Sequence, residues 1–174
     1  MIKKNYEEKT DIIIQARMGS RRLPGKSLFD LAGAPLVGRI LERVKRCKEV
    51  DEIILAIPDT NENKSLEKLG EKYKVNIFKG SENDLVDRYY QAANYFKTKN
   101  ICRLPADNPT PEPNEIDKLI IFHKKYNKNG FSTNLSNAFD SGYPDGIGIE
   151  IFGFNLLESI NKSTLDQEKR EHLH

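Results

Sequence analysis

The hydrophobic residues of this chain form short continuous runs separated by segments with helical spacing. Four runs have the length of buried strands, and they cover residues 11–14, 53–57, 75–78 and 101–104. In the segments between them, apolar residues recur three and four positions apart, as on the inner face of an amphipathic helix. Strands that alternate with such helices form right-handed βαβ units. The pattern therefore predicts one α/β body with a mainly parallel sheet.

Four helices are predicted from this spacing. Their inner faces are Leu36, Val37, Ile40, Leu41 and Val44; Leu66, Leu69 and Tyr73; Leu85, Tyr89, Ala92, Ala93 and Phe96; and Ile116, Leu119, Ile120 and Phe122. Thr60 is expected to cap the second helix. Capping boxes are expected at Ser81 with Asp84, for the third helix, and at Thr164 with Gln167, for a final one.

The stretch before residue 153 predicts further sheet. Residues 131–134 have the character of another strand, and residues 138–152 alternate glycine with apolar residues. A hairpin with a turn at Pro144, Asp145 and Gly146 accounts for that alternation. Within it, strand periodicity leaves open whether the side chain of Glu150 points outward.

A polar loop over residues 15–26 follows the first predicted strand and concentrates positive charge. Its cationic and small residues are Arg17, Gly19, Ser20, Arg21, Arg22, Gly25 and Lys26. Small residues let successive backbone N–H groups turn toward one point, and guanidinium groups match phosphate oxygens in pairs. Ligands of α/β sheets bind at the carboxyl ends of strands. The loop therefore predicts a site for a nucleotide triphosphate, with a solvated basic turn as the alternative. It is neither a Walker A loop nor a GxGxxG motif.

Asp107 is the second candidate for chemistry, because it follows the predicted strand at residues 101–104. A carboxylate at the carboxyl end of a strand, facing a phosphate loop, is suited to hold Mg²⁺ on those phosphates. The alternative is that Asp107 caps the helix that follows Pro111.

Composition limits the classes of protein that fit. The length of 174 residues favours a single domain, which we place at residues 11–174 after a polar lead-in at residues 1–10. The 28 basic and 26 acidic residues nearly balance at a net charge of +2, which argues against a nucleic-acid partner. No apolar run is long enough for a membrane span or a signal peptide, so a cytoplasmic enzyme is expected.

Three residues that often bind metals are assigned structural roles. Cys47 and Cys102 lie far apart without metal-ligand spacing, so they are expected to be buried free thiols. His123 lies beside the inner face of the fourth helix with no second histidine near it, which favours a core position.

The motif RMGSRRLPGK, residues 17–26, resembles the signature of the sugar-acid cytidylyltransferases. With Gln15 and Met18 it is most similar to the SpsF-type spore coat polysaccharide biosynthesis proteins. The resemblance implies an α/β fold of the nucleotide-diphospho-sugar transferase type (GT-A-like, Rossmann-like) with a mixed, mainly parallel sheet. It also implies transfer of CMP from CTP to a sugar acid with release of pyrophosphate, Mg²⁺ as cofactor, and a homodimer.

The resemblance extends to individual positions through four segments, GSENDLVDRYY, RLPADNP, YPDGIGIE and REHLH. It implies catalytic roles for Arg17, Lys26 and Asp107, with Asp107 as the metal ligand. The residues implied in nucleotide binding are Gln15, Ala16, Arg17, Gly19, Ser20, Arg21, Lys26, Asp87, Arg88 and Arg103. Those implied on the sugar side are Tyr143, Asp145, Glu150, Arg170 and His172. For Asp87 and Arg88, a solvated helical face is the alternative.

The sequence departs from the family pattern at its end. Members of the family continue past the segment that resembles REHLH with more sheet, a further helix and a second metal-binding aspartate. Two other functions stay open at this point, the first because the fold hosts several nucleotide specificities and the second because of this departure. One is a related nucleotidyl- or glycosyltransferase that uses another nucleotide, and the other is a non-catalytic nucleotide-binding remnant.

Overall fold

A single sheet organises the computed structural model, which describes residues 8–20, 22–135, 142, 144–163, 166 and 170–171. Within these residues the strands are β1 (Thr10–Gln15), β2 (Glu52–Pro58), β3 (Asn76–Gly80), β4 (Asn100–Pro105), β5 (Phe131–Thr133) and β6 (Glu150–Gly153). The helices are α1 (Leu36–Val44), α2 (Lys64–Lys72), α3 (Leu85–Phe96), α4 (Pro113–Tyr126) and α5 (Phe154–Ser163).

The strands are ordered β3-β2-β1-β4-β6-β5 across the sheet. β1 pairs in parallel with both β2 and β4, and β2 pairs in parallel with β3. β6 runs antiparallel to both β4 and β5. The sheet is thus mixed and mainly parallel, as predicted.

Helices cover both faces of the sheet because successive residues of β1 point to opposite sides. Ile12 and Ile14 pack in a core with α1, α2 and α4, whereas Ile13 packs with α3 and α5. All three isoleucines are completely buried, so β1 is a central strand with apolar contacts on both faces. The loop that follows β1 therefore starts from a rigid, fully buried base.

The start of α3 differs from the predicted capping box. Asp84 is the N-cap, and its Oδ1 accepts a hydrogen bond of 2.8 Å from the backbone N–H of Asp87. Ser81 lies one step earlier, where its Oγ accepts a bond of 3.1 Å from the backbone N–H of Asp84. The predicted cap at Thr60 is also wrong, because a short 3₁₀ turn intervenes and α2 begins only at Lys64. The capping residues in the sequence thus indicated the approximate positions of α2 and α3, but the first turn of each helix begins a few residues later than predicted.

The inner face of α4 is Ile116, Leu119, Ile120 and His123. Phe122 is half exposed, so its predicted place in the core is wrong. His123 is fully buried, with Nδ1 lying 3.0 Å from Oγ of Ser132 on β5, which confirms its structural role. Burial lowers the pKa of His123 from its ordinary value, because a charged imidazolium loses its hydration there.

Two segments depart from the sequence prediction at the ends of the chain. Lys9 and Thr10 were assigned to the lead-in but are buried, and Thr10 begins β1. The helix α5 was not predicted; it packs on the same face as α3, with the rings of Phe154 and Tyr90 stacked at 5.6 Å. The predicted cap at Thr164 and Gln167 lies outside the described residues. Among the described helices, none combines the length and apolar character needed to cross a membrane.

Candidate active site

A cleft of about 450 Å³ opens where β1, β3 and β4 end at their carboxyl termini. Among the described residues, the predicted site residues that line it are Gln15, Ala16, Arg17, Ser20, Lys26, Arg88 and Asp107. It lies between the loop after β1, the connection from β3 to α3, and the turn after β4. This is the edge of a parallel sheet at which ligands bind in α/β proteins.

The loop after β1 is folded back on itself by its own backbone. The N–H groups of Ser20 and Gly25 both donate to the carbonyl oxygen of Met18, at 2.9 Å each. Gly25 has φ of 75°, a left-handed conformation that glycine adopts without steric cost. Oγ of Ser27, which is buried, donates to the carbonyl oxygen of Arg17 at 3.1 Å. These bonds hold the loop in a compact turn beside the end of β1.

The loop is also anchored to the rest of the fold. The N–H of Met18 donates to Oδ1 of the buried Asn63 at 2.9 Å, and this asparagine ends the 3₁₀ turn before α2. Arg17 and Arg22 are exposed on the loop and line the cleft. Within the described residues neither of these arginines forms an ion pair with protein. Two guanidinium groups without an ion-pair partner among the described residues therefore line the cleft, as an anion-binding wall requires.

Asp107 lies across the cleft from this wall, in the turn that follows β4. The N–H of Ala106 donates to the carbonyl oxygen of Gln15 at 3.1 Å, which extends the pairing of β1 and β4 to the point where both strands end. Asp107 is thereby brought next to the loop, and Nζ of Lys26 lies 3.3 Å from its Oδ2. The alternative role as a helix cap is wrong, because α4 begins at Pro113 with Glu112 as its N-cap.

The donor set at Asp107 fits a magnesium ion held jointly with a ligand. About half of the Asp107 side chain is exposed, so its carboxylate is accessible from the cleft. Among the described residues, no group of three acidic, histidine or cysteine side chains converges into a complete metal site. Mg²⁺ commonly takes only one or two carboxylates and completes its shell with phosphate oxygens and water.

Arg88 reaches the cleft from α3 and is almost completely buried, at 4% exposure. Its Nη1 donates to the carbonyl oxygen of Ser81 at 2.7 Å, while its Nε has no partner among the described residues. Burial lowers the pKa of the Arg88 guanidinium from its ordinary value. The alternative of a solvated helical face is therefore wrong for Arg88. Asp87 does not line the cleft, and its Oδ1 accepts a bond of 3.0 Å from Nε2 of Gln91 on the same helix.

Arg103 and Glu150 lie below the cleft rather than in its lining. They are cross-strand neighbours on β4 and β6, and Nη1 of Arg103 donates to Oε2 of Glu150 in a buried ion pair. The outward orientation of Glu150 is wrong, because the residue is only 6% exposed. Tyr89 lies on the same face, where its hydroxyl donates to the carbonyl oxygen of Ile13 at 3.1 Å. The ion pair of Arg103 and Glu150 is therefore a buried polar contact on the side of the sheet that α3 covers.

Arg170 is held against the first turn of α3. Its Nε donates to Oδ2 of Asp84 at 2.6 Å, and Nη2 donates to Oδ1 of Asn161 at 2.5 Å. Arg170 does not line the cleft itself, but its neighbour Glu171 does. Asp145 is exposed in the turn before β6 and also lies outside the lining.

Gly19 is exposed on the loop but is not among the lining residues either. Three predicted site residues, Arg21, Tyr143 and His172, lie outside the described residues.

Sequence reasoning missed several residues of the cleft. Those not proposed as site residues are Ser27, Glu82, Asn83, Leu85, Pro105, Ala106 and Glu171, whereas Arg22 was named only as a cation of the loop. Glu82 and Asn83 follow the carboxyl end of β3, so the topological rule that located the loop after β1 could also have located them. Glu171 could not have been found this way. It lies at the cleft because its neighbour Arg170 is bonded to Asp84, which is distant in the sequence.

Comparisons with known proteins place this chain in a family. The profile of a family described as cytidylyltransferase matches residues 12–169. The spore coat polysaccharide biosynthesis protein SpsF of Bacillus subtilis is 34% identical over 166 residues, which covers 92% of this chain and 66% of SpsF. The chain thus spans just under two thirds of the length of that relative.

Two further proteins extend the comparison. A 3-deoxy-manno-octulosonate cytidylyltransferase of Thermodesulfovibrio yellowstonii is 32% identical over 170 residues, covering 92% of this chain and 67% of the relative. The solved structure of a cytidylyltransferase from Leptospira borgpetersenii superimposes with a TM-score of 0.87 at 33% identity, covering 95% of this chain and 68% of that chain. Likeness to solved nucleotidyltransferases confirms the predicted fold of the nucleotide-diphospho-sugar transferase type.

Proposed function

This chain belongs to the cytidylyltransferase family, and we propose that it transfers CMP from CTP to a hydroxyl group of a sugar acid, with release of pyrophosphate, in the synthesis of a surface polysaccharide. The observation that carries this proposal is the pairing of a cationic loop after β1 with the carboxylate of Asp107 across one cleft. The name of the octulosonate enzyme supports a sugar acid as the acceptor, and the name of the SpsF protein supports polysaccharide synthesis as the pathway.

In this proposal the loop after β1 binds the triphosphate. Arg17 and Lys26 neutralise the β- and γ-phosphates, and Ala16 and Ser20, which line the cleft beside them, flank the same phosphates. Negative charge builds on the leaving pyrophosphate in the transition state. Cations fixed where that charge develops stabilise the transition state more than the ground state, and this difference accelerates the transfer.

Asp107 and Lys26 act together on the phosphates of CTP. Asp107 would hold Mg²⁺, which when bound supplies Lewis-acid polarisation of the phosphate oxygens. Lys26 contacts Asp107 in the protein without ligand and can exchange that contact for a phosphate oxygen when CTP enters. The remaining contribution of the chain is positioning, because the cleft would place the acceptor hydroxyl in line with the bond to pyrophosphate.

The homodimer expected from the family resemblance is part of the same proposal. The exposed apolar side chains include Leu23, Phe29 and Leu31, which lie in the segment between β1 and α1. Sedimentation velocity of the purified chain over a tenfold concentration range tests the proposal, with a dimer expected.

Thermal shift with a panel of nucleotides tests the substrate. A ligand that binds only the folded state raises the melting temperature by mass action, so CTP with Mg²⁺ is expected to stabilise more than UTP, GTP or ATP at equal concentration. Release of pyrophosphate from CTP, measured with octulosonic and nonulosonic acids as acceptors, then tests the reaction. A larger shift with another nucleotide would assign the chain a different donor. Binding of CTP without turnover of any acceptor would leave it a nucleotide-binding protein.

A further inference from the structure

We propose that Asn63 is a positioning residue for the loop after β1, and that it acts through the peptide unit between Arg17 and Met18. This inference rests on the proposed function and deepens it. It names a residue outside the lining of the cleft that sets how tightly the loop holds the phosphates of CTP. Asn63 precedes α2 and lies 45 positions from Met18 in the sequence.

The peptide unit that joins Arg17 to Met18 is held at both of its polar groups by buried side chains. Its carbonyl oxygen accepts a bond of 3.1 Å from Oγ of Ser27, and its N–H donates to Oδ1 of Asn63 at 2.9 Å. Ser27 is 2% exposed and Asn63 is 1% exposed, so water has little access to either side chain. Because a peptide unit is planar, two bonds on its opposite edges fix its orientation. The backbone beside Arg17 is therefore set before any ligand binds.

The side chain of Asn63 is directed to this loop rather than to its own helix. Asn63 is the N-cap of α2, a position where an asparagine usually accepts a bond from a backbone N–H of the first turn. Within the described first turn of α2, its side chain makes no such bond. Nδ2 donates instead to Oγ1 of Thr60 at 2.7 Å, which turns Oδ1 toward Met18. Both ends of the amide therefore serve the contact with the loop.

The contact reaches the residue on which the loop closes. The carbonyl oxygen of Met18 accepts the N–H groups of Ser20 and Gly25, at 2.9 Å each. The N–H of the same residue is the group that Asn63 holds. One buried side chain thus connects the hub of the loop to the rest of the fold, while the pairing of β1 with its neighbours does not depend on it.

A fixed backbone at Arg17 matters because of the role that the proposed reaction gives to its side chain. Arg17 is exposed, lines the cleft and, among the described residues, forms no ion pair. Ordering an arginine on a ligand costs conformational entropy, and a backbone that is already in place reduces this cost. Since Arg17 is assigned to the β- and γ-phosphates, which CMP lacks, Asn63 should favour the binding of CTP much more than that of CMP.

The first arm of the test measures the binding of CTP and of CMP to Asn63→Ala by isothermal titration with Mg²⁺ present. Alanine removes the acceptor for the N–H of Met18. We expect the dissociation constant for CTP to rise by roughly fivefold to tenfold, the effect of one lost hydrogen bond, and that for CMP to change by less than about twofold. Unchanged CTP affinity, or equal losses for CTP and CMP, would overturn the inference and leave the proposed function intact.

Asp117→Ala is the matched control for this arm. The carboxylate of Asp117 on α4 accepts the backbone N–H groups of Lys48 and Glu49 at 3.0 Å, so it also ties a connecting segment to a distant element, but outside the cleft. Its loss should lower the melting temperature and leave the ratio of the CTP and CMP affinities unchanged. A changed ratio in Asp117→Ala would show that any loss of stability weakens CTP binding, which would overturn the inference.

The second arm replaces Thr60, which orients the amide of Asn63, and keeps Asn63 itself. Thr60→Val preserves the shape of the side chain on an extended backbone but removes the hydroxyl, whereas Thr60→Ser retains the hydroxyl. Thr60→Val should weaken the binding of CTP relative to CMP in the same direction as Asn63→Ala, and Thr60→Ser should restore the ratio of the unmodified chain. Equal ratios in the valine and serine variants would overturn the inference, also if Asn63→Ala does not fold.

The third arm observes the bond by hydrogen exchange of the Met18 amide in the protein without ligand. This amide should be protected in the unmodified chain and in Thr60→Ser, and should exchange faster in Asn63→Ala, while the amides of Ile12 and Ile14 keep their protection. Equal protection of Met18 in Asn63→Ala would overturn the inference. A loss specific to CTP without turnover of any acceptor would support the inference and refute the proposed transfer, and failure of the unmodified chain to bind CTP would overturn both.

Discussion

Nζ of Lys26 lies 3.3 Å from Oδ2 of Asp107, so two residues that are 81 positions apart in the sequence meet across the cleft. About half of the Asp107 side chain is exposed, and an ion pair in such a setting stabilises a protein by roughly 1 kcal/mol or less. The contact is therefore easy to exchange. It places a cation and a carboxylate that could hold a metal ion at one point without committing either to the fold.

Replacing Asp107 with asparagine should abolish most of the Mg²⁺ dependence of CTP binding, because a neutral amide is a poor ligand for this cation. The melting temperature of the protein without ligand should change by no more than a few degrees, since the ion pair with Lys26 is weak. Titration of Mg²⁺ at fixed CTP, followed by calorimetry, measures the effect. Asp59→Asn is the matched control, because Asp59 is exposed directly after β2 and does not line the cleft. Persistence of the metal dependence in Asp107→Asn would remove Asp107 from the metal site.

Arg17→Ala should weaken CTP binding by about 1.5–3 kcal/mol, the range for hydrogen bonds to charged groups. The stability of the protein without ligand should stay nearly constant, since within the described residues Arg17 forms no ion pair. Isothermal titration with CTP and Mg²⁺ gives the affinity, and thermal melting gives the stability. Arg46→Ala serves as the control, because Arg46 is exposed after α1 and outside the cleft. Equal CTP affinity in Arg17→Ala and the unmodified chain would mean that the loop does not bind the triphosphate.

The buried pair of Arg103 and Glu150 should behave as part of the fold. Glu150→Gln leaves the guanidinium without a counter-ion, and the expected loss of unfolding free energy is about 3–5 kcal/mol. The double replacement Arg103→Met with Glu150→Leu should recover most of this loss, because no unpaired charge remains. Chemical denaturation measures both variants.

The matched control for this pair is Glu112→Gln, which breaks the partly exposed ion pair with Arg43 and should cost no more than about 1 kcal/mol. A Glu150→Gln protein of unchanged stability but raised KM for the acceptor would instead support the sugar contact implied by the family resemblance.

His123 should make stability depend on pH below neutrality. Burial lowers its pKa in the folded state below the ordinary value of 6.5, so the unfolded chain takes up the proton first as pH falls. The contribution of the neutral imidazole is fully present above pH 6.5 and is lost progressively as pH falls from there toward the folded-state pKa. The slope is at most about 1.4 kcal/mol per pH unit.

Denaturation curves at pH 7.5, 6.5 and 5.5 measure this dependence. His123→Gln retains an amide that can reach Ser132 but has no proton to gain in this range, so its stability should fall less between pH 7.5 and pH 5.5. Parallel slopes for the two proteins would show that His123 does not titrate on unfolding.

The local parts of this protein follow from its sequence. The run at residues 11–14 predicted β1, and the loop after it was placed by the sequence at the edge of the sheet where the cleft opens. The motif at residues 17–26 also led to the correct family. These features depend on residues a few positions apart, through backbone geometry, turn chemistry and hydrophobic periodicity. Such local signals can be read from the sequence without knowledge of the fold.

The partners of the charged side chains were decided only by the tertiary structure. Arg88 is in a helix whose periodicity cannot tell a solvated face from a cleft wall, and only the packing of α3 beside Gly80 buries it. Glu150 follows the alternation of a strand, but the placement of β6 next to β4 sets its carboxylate against Arg103 rather than toward solvent.

Asp107 and Lys26 meet for the same kind of reason. β4 crosses over to pair with β1, and the register of that pair ends both strands at Gln15 and Pro105. Strand order and register are properties of the whole sheet, since each depends on which long-range pairing buries the most apolar surface. The sequence alone thus determined which residues are candidates for the chemistry, and the sheet determined which of them face one another.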